Sequence, residues 1–321
     1  MHSFEQLLKQ FEDYFGKRHF PDQPSTLYDP AQYILGIGGK RVRPVLCLMG
    51  NELFDEIHPD AWSVAVSVEL FHNFSLIHDD IMDQAPLRRG KDTVHHKYGV
   101  NTAILAGDAM LIMAYDYLYK ISSENLKTVL GLFNKTALQV SEGQQLDMDF
   151  EKRTTVSLQE YMHMIELKTS VLLASSLEMG AVIGGASERN AKHLYEFGRN
   201  LGIAFQIQDD YLDAFGDPAK FGKQVGGDIL SNKKTFLMIH AQETANASAK
   251  ERLMLLQEQN PSDKVEQVLS IFREASVDEW ALELKNSYLE KALHHLEEVA
   301  VTASRKEALR QLAAFLVQRD Y

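Results

Sequence analysis

Apolar side chains return at every fourth position in this chain, as in Trp62, Val66, Leu70 and Phe74 and again in Phe197, Leu201 and Phe205, while period-two alternation is scarce. Residues four apart share one face of an α-helix, whereas a half-buried strand needs alternation, so the pattern predicts an all-α fold. Clusters of Pro, Gly and polar residues set the expected breaks: Pro21 to Pro30, Asp55 to Pro59, Ala85 to Asp92, Gly184 to Arg189, Phe215 to Gly227 and Gln259 to Lys264. None is long enough to read as an interdomain linker, so residues 1–321 are expected to form a single domain.

Near the N-terminus Glu5, Glu12 and Asp13 lie among Phe4, Leu7, Leu8, Phe11 and Phe15, the pattern of an amphipathic helix and not of a signal peptide. No stretch approaches the ~18 uncharged apolar residues that a spanning helix requires, so no integral membrane association is expected and the cytoplasm is the default location. The lone Cys47 sits in an apolar run and reads as a small buried hydrophobe in a reducing compartment. A formal net charge of −12 argues against binding nucleic acid by overall attraction. The positions of the cations therefore matter more than their number.

One string occurs twice in closely similar form: Asp79-Asp80-Ile81-Met82-Asp83 returns as Asp209-Asp210-Tyr211-Leu212-Asp213, each at the end of a helical segment before a loop with Gly and basic residues. Asp79 and Asp83 share a helix face, as do Asp209 and Asp213. Like charges so placed repel, Asp is a mediocre helix former, and a helix C-terminus disfavours anions. A cation removes all three objections. Oxygen-only donors select hard ions, and Mg²⁺ commonly bridges one or two carboxylates to substrate phosphates, so all six aspartates are candidate metal residues and a diphosphate is the implied ligand.

Cations gather beside these acids. Gly38-Gly39-Lys40-Arg41-Val42-Arg43-Pro44 offers flexible backbone and three charges, and Arg88-Arg89-Gly90-Lys91 follows the first acidic string. Guanidinium forks and an ammonium suit a second phosphate site without a metal. His72, two turns before Asp79, could donate to that site or be a satisfied core histidine. Lys168 and Thr169 interrupt an apolar helix, and Gln206 lies one turn before Asp210, where a cationic or phosphate-bearing ligand would give buried polar groups a partner.

Together these residues resemble the polyprenyl synthetase family of trans-isoprenyl diphosphate synthases, from about Gly38 to Thr235. Asp79 to Asp83 followed by Leu87-Arg88-Arg89-Gly90 looks like the family's first Asp-rich motif, and Asp209 to Asp213 preceded by Gln206 looks like its second. Lys168-Thr169, Gly143-Gln144 with Asp147, and Gly222-Lys223 followed by Gly227-Asp228 and Lys233 fill further positions in the same order. The resemblance implies an isoprenoid-synthase-type helical bundle with a central active-site cavity, working as a homodimer. It implies head-to-tail condensation of isopentenyl diphosphate with an allylic diphosphate, with three Mg²⁺ per active site when substrate is bound.

By the same resemblance Lys40, Arg43, His72 and Arg89 hold isopentenyl diphosphate, while Arg88, Lys168, Lys223 and Lys233 grip the allylic diphosphate. Asp79, Asp83 and Asp209 are the main metal ligands, and the Thr169 hydroxyl and Gln206 carbonyl oxygen lie near the carbocation. The two residues four and five before the first Asp commonly set product length in this family. Here they are Ser75 and Phe74, with Phe71 about 12 Å further along the helix as a deeper stop, which points to a twenty-carbon product with fifteen carbons as the runner-up. The competing readings are a class I terpene cyclase, whose second metal pattern Asp209 to Asp213 lacks, and a non-catalytic regulatory subunit, for which loss of aspartates would be the sign.

Overall fold

The computed structural model describes residues 1–217 and 225–317. Apart from one two-stranded hairpin, every regular element among them is helical. Helices α1 (Phe4–Phe15), α2 (Ser25–Gly36), α3 (Val42–Glu52) and α4 (Pro59–Met82) lead to strands β1 (Leu87–Arg88) and β2 (Lys91–Asp92). Then come α5 (Val94–Tyr98), α6 (Val100–Tyr119), α7 (Ser123–Lys152), α8 (Leu158–Ile165), a π-helical turn (Glu166–Ser170), α9 (Val171–Ile183) and α10 (Glu188–Phe215). The described remainder is α11 (Gly227–Leu230), α12 (Phe236–Thr244), α13 (Ala247–Gln259), α14 (Lys264–Glu274), α15 (Val277–Glu298) and α16 (Ala303–Val317). No described helix is long and apolar enough to cross a membrane.

Local chemistry accounts for the helix starts. Ser3 caps α1 by accepting from the Gln6 N–H while Gln6 Oε1 accepts from the Ser3 N–H, and Ser157 and Glu160 repeat this reciprocal pair at α8. Pro59 begins α4, where its missing N–H costs nothing. The expected amphipathic N-terminal helix is α1, with Leu7, Phe11 and Phe15 buried. One expected break is shorter than the sequence suggests, because α2 continues through Pro30. Burial of Ala31, Ile34 and Leu35, with α2 packed on α6, outweighs the hydrogen bond that Pro30 cannot make. The hairpin is the one departure from helix: Arg89 and Gly90 at its tip both take positive φ, 53° and 73°, as the tightest two-residue turns require.

Cα packing divides the chain into two compact units, each drawn from separate stretches. The first comprises Met1–Lys135, Ser175–Tyr195 and Val299–Ala308. Its axis is α4, which packs on α3 and α6 and buries an unbroken run from Val64 to Phe71, so it is enclosed on every side. Glycines let backbones touch: a Cβ at Gly180 would meet the Cys47 carbonyl at 1.9 Å, and one at Gly50 would meet that of Leu177 at 2.3 Å. Cys47 itself is buried, and burial pushes its thiol pKa up, as expected of an inert core residue.

The second unit comprises Thr136–Ala174, Glu196–Glu298 and the chain from Leu309. Its core gathers Phe150, Tyr161, Ile165, Ile203, Ile207, Phe236, Leu253, Ile271, Phe272 and Val277. Trp280 closes one side by stacking on His240 at 3.6 Å between ring centres.

Candidate active site

In the first unit α4 delivers the first acidic string to its own C-terminus. Asp83 is the C-cap and its N–H donates to the Asp79 carbonyl at 2.8 Å. Asp83 is exposed and Asp79 partly so, whereas Asp80 is only 2% exposed and takes Arg88 in a two-pronged clasp, Nε to Oδ2 at 2.8 Å and Nη2 to Oδ1 at 2.7 Å. Hairpin strand β1 thus brings Arg88 back onto the helix that precedes it.

Two turns earlier, Arg43 at the start of α3 places Nη1 3.2 Å from His72 Nε2. The segment before Arg43 is shaped by backbone as much as by charge. Gly38 and Arg41 take positive φ of 92° and 47°, and Arg89 Nη1 donates to the Gly38 carbonyl. A Cβ on Gly39 would lie 2.7 Å from that same Nη1, so a larger residue there would push the hairpin guanidinium aside.

Arg41 points inward: it pairs with buried Glu69, donates to the Leu35 carbonyl at 2.7 Å and lies over the Phe15 ring. Glu69 also accepts from Asn73 Nδ2 at 2.9 Å. Glu69 is the principal negative charge facing this group of guanidiniums. Burial, then the neighbouring Arg89, lowers the pKa of Arg43 to about 10 against the raising effect of Glu69, and burial followed by Arg43, Arg89, Arg88 and Arg41 holds His72 well below the usual imidazole value. A site so loaded favours an anion.

In the second unit four polar residues form one connected chain. The Thr169 hydroxyl lies 3.4 Å from Gln206 Oε1, Gln206 Nε2 donates to Asp210 Oδ1 at 2.9 Å, and the Tyr161 hydroxyl donates to Asp210 Oδ2. Burial raises the Asp210 pKa to about 7, with Asp228 adding to it and Lys233, Tyr161 and Gln206 opposing. Lys168 Nζ reaches Asp147 Oδ2 at 2.5 Å. Asp213 accepts from the Asp228 N–H at 3.0 Å, and Lys233 Nζ is 4.0 Å from Asp228 Oδ1.

Lys168 and Thr169 owe their direction to the π-helical turn, whose extra residue re-aims the side chains that follow α8. Glycines admit it on two sides: a Cβ at Gly143 of α7 would meet the Lys168 N at 2.3 Å, and one at Gly202 of α10 the Ser170 Cα at 2.8 Å.

Residues 24–274 match the polyprenyl synthetase family. The chain belongs to that family. It is 38% identical to a short chain isoprenyl diphosphate synthase of Methanothermobacter thermautotrophicus, over 93% of this chain and 92% of the relative. It is 36% identical to a geranylgeranyl diphosphate synthase of Methanosarcina mazei, over 93% and 91%. A crystal structure of a geranylgeranyl pyrophosphate synthase superposes with a TM-score of 0.94 at 44% identity, covering 99% of both chains. The all-helical expectation is met, and the polyprenyl synthetase is a trans-prenyltransferase.

The family uses Mg²⁺, and the donor chemistry of this polyprenyl synthetase fits that ion. Asp79 and Asp83 are solvent-reachable oxygen donors one helical turn apart on α4, and Asp209 and Asp213 repeat the spacing on α10. Among the described residues no three His, Cys, Asp or Glu form a ready-made cage. Mg²⁺ needs none, since it keeps waters and completes its shell with substrate phosphates. The six aspartates do not stand alike. Asp80 and Asp210 are buried and engaged, by Arg88 and by Tyr161 with Gln206, whereas Asp79, Asp83, Asp209 and Asp213 are more exposed.

Of the other expected site residues, Arg43 meets His72, Arg89 folds onto Gly38, and Thr169 meets Gln206. Lys40 precedes left-handed Arg41, and Lys223 lies outside the described residues. Sequence reasoning counted Arg41 among the three cations suited to phosphate, whereas the structure turns it inward to Glu69, and it passed over Glu69 and Tyr161. Glu69 had left a signal, a lone carboxylate in an apolar run; Tyr161, 49 residues from Asp210, had left none.

Proposed function

We propose that this trans-prenyltransferase condenses isopentenyl diphosphate head-to-tail with allylic diphosphates and that its main product is the twenty-carbon geranylgeranyl diphosphate. Bound Mg²⁺ would be held by Asp79, Asp83, Asp209 and Asp213, three ions with substrate present, and would stabilise charge on the departing diphosphate. Arg88, Lys168, Lys223 and Lys233 hold the allylic diphosphate, while Lys40, Arg43, His72 and Arg89 hold isopentenyl diphosphate. The allylic carbon–oxygen bond breaks with its electron pair leaving on diphosphate. The double bond of the isopentenyl unit then attacks the allylic cation, and the new cation loses a proton to the released diphosphate.

The oxygens of Thr169 and Gln206, 3.4 Å apart, suit stabilisation of the passing cation without bonding to it. Asp210, accepting from the Gln206 amide N–H, turns the Gln206 oxygen toward Thr169. The protein is proposed to act in the cytoplasm as a homodimer, for which the exposed Ile104, Leu105, Ile112 and Tyr119 of α6 are a suitable apolar face.

What supports the chain length is the aromatic cluster on α4, read as a wall of the product-tail pocket. Phe71 is 2% exposed and packs edge-on against Phe133 at 5.3 Å and on Phe74 at 5.6 Å, a deep aromatic floor about 12 Å along the helix from Asp79. Phe74 in turn abuts His78 at 4.7 Å, and the small Ser75, whose hydroxyl donates to the His72 carbonyl, leaves the nearer level partly open. Product chromatography with defined starters tests the reading. Wild type should yield chiefly the twenty-carbon diphosphate, Ser75→Phe a shorter product and Phe74→Ala a longer one. An unchanged distribution in both variants removes the wall from the account.

A further inference from the structure

Lys264 opens α14, and its side chain is completely buried. All three partners of its ammonium are neutral oxygens: Asn232 Oδ1 at 2.6 Å, Asn260 Oδ1 at 3.1 Å and the Leu230 carbonyl at 3.4 Å. Burying an ammonium without a carboxylate is costly, and burial lowers its pKa from the usual lysine value. The remainder of the buried face of α14 is Val268, Ile271 and Phe272, so an apolar side chain would suit the position as far as packing is concerned.

What the ammonium supplies is three donors aimed at backbone reversals. Asn232 and Asn260 both take left-handed φ, 57° and 46°, and Leu230 ends α11. The next residue reinforces the grip: Gly226, at φ 83°, lies so flat on Val265 that a Cβ there would come within 2.7 Å of its methyl carbon. The first turn of α14 thus holds both ends of the segment from Gly226 to Asn232.

That segment is the cradle of the second acidic motif. Gly226 N–H donates to the Asp213 carbonyl at 2.6 Å, Asp228 N–H to the Asp213 carboxylate at 3.0 Å, and Lys233 N–H to the Asp228 carbonyl at 2.9 Å. A Cβ at Gly227 would sit 3.3 Å from Asp213 Oδ1. Every link from Lys264 to Asp213 and Lys233 is a direct contact or a covalent step of a few residues.

We propose that Lys264 is a positioning residue for the allylic-diphosphate side of the reaction, a buried clasp that fixes the Gly226 to Lys233 segment and, through it, the Asp213 carboxylate and the Lys233 ammonium. The role rests on the condensation proposed above. Outer partners that orient metal-binding carboxylates change affinity or activity by about 10- to 100-fold when removed.

The test combines hydrogen exchange of the metal-free, substrate-free protein with steady-state kinetics of Lys264→Met and of Asn232→Gly. The glycine variant alters an exposed residue, tolerates the positive φ and removes the 2.6 Å acceptor together with one bond from the Asn232 amide to the Gln257 carbonyl, so it serves if the buried substitution does not fold. Expected in Lys264→Met are faster exchange confined to residues 225–233 and the first turn of α14, and a KM for the allylic diphosphate raised about 10-fold or more, with that for isopentenyl diphosphate changed by less than about 2-fold. Asn232→Gly should move the same readouts less. Unchanged exchange and KM in the folded variants, or an equal rise for both substrates with exchange accelerated throughout, overturns the proposal. Wild type that performs no condensation would refute the underlying reaction, while the exchange data would still report on the clasp.

Discussion

Arg43 places a guanidinium N–H 3.2 Å from His72 Nε2, so that nitrogen accepts and the imidazole proton resides on Nδ1. Burial first, then Arg43, Arg89, Arg88 and Arg41, depresses its pKa, and Glu69 is the counter-charge. In the unfolded chain the imidazole titrates near 6.5, so below that pH the unfolded state takes up the proton that the folded site refuses. The stabilising contribution of neutral His72 is therefore complete above about pH 6.5 and declines as pH falls toward the folded pKa, by at most ~1.4 kcal/mol per pH unit. Thermal melts should show wild type losing stability between about pH 6.5 and 5 more steeply than His72→Gln, which does not titrate. Parallel curves would mean that the imidazole charges freely in the folded protein. The buried Arg41–Glu69 pair behind it explains why the cations stay ordered in a chain of net charge −12: one interior carboxylate neutralises the innermost guanidinium and leaves the outer ones for an anion.

At the level of elements, the π-helical turn is the feature that gives Lys168 and Thr169 their aim, and it exists because α7 and α10 come unusually close to it. Gly143 and Asp147 are one turn apart on α7, so one residue admits the Lys168 backbone and the other receives its ammonium. Gly143→Ala forces a methyl against backbone atoms 2.3 and 2.7 Å away, a contact that no flexible side chain can relieve. Overpacking of this kind costs about 1–3 kcal/mol, and turnover should fall with it because Lys168 is displaced. Gly131→Ala on the same helix meets nothing within 4 Å and should stabilise by up to about 1 kcal/mol through helix propensity alone. Calorimetry and turnover measured on both variants check the contrast, and equal behaviour would show that the close approach has no consequence.

Across the whole molecule, folding and metal use separate cleanly. The cores of both units are apolar, from Leu7, Val68 and Leu70 in the first to Ile271 and Val277 in the second, and the candidate metal carboxylates lie at helix ends outside them. Chelation of Mg²⁺ should therefore abolish turnover while leaving helical circular dichroism intact, and Asp79→Ala should cut turnover about 100-fold or more. Its thermal stability should stay within about 0.5 kcal/mol of wild type, since removing one charge relieves repulsion along α4. Unfolding on chelation, or a folded Asp79→Ala enzyme with normal turnover at limiting Mg²⁺, would overturn this division. The helical class, several of the breaks and both acidic strings were legible in the sequence because each depends on neighbours within one or two turns: period-four apolar spacing, clusters of Pro and Gly, Asp at i and i+4. Tertiary structure alone decided the rest. The Tyr161–Asp210 bond, the Arg41–Glu69 pair, the passage of α2 through Pro30, the π-helical turn against Gly143 and Gly202, and the Lys264 clasp join residues whose separation carries no periodic signal, or trade a local backbone cost against burial elsewhere. Side chains alike in sequence, such as Asp79 and Asp80, part company only when packing exposes one and seals the other against Arg88.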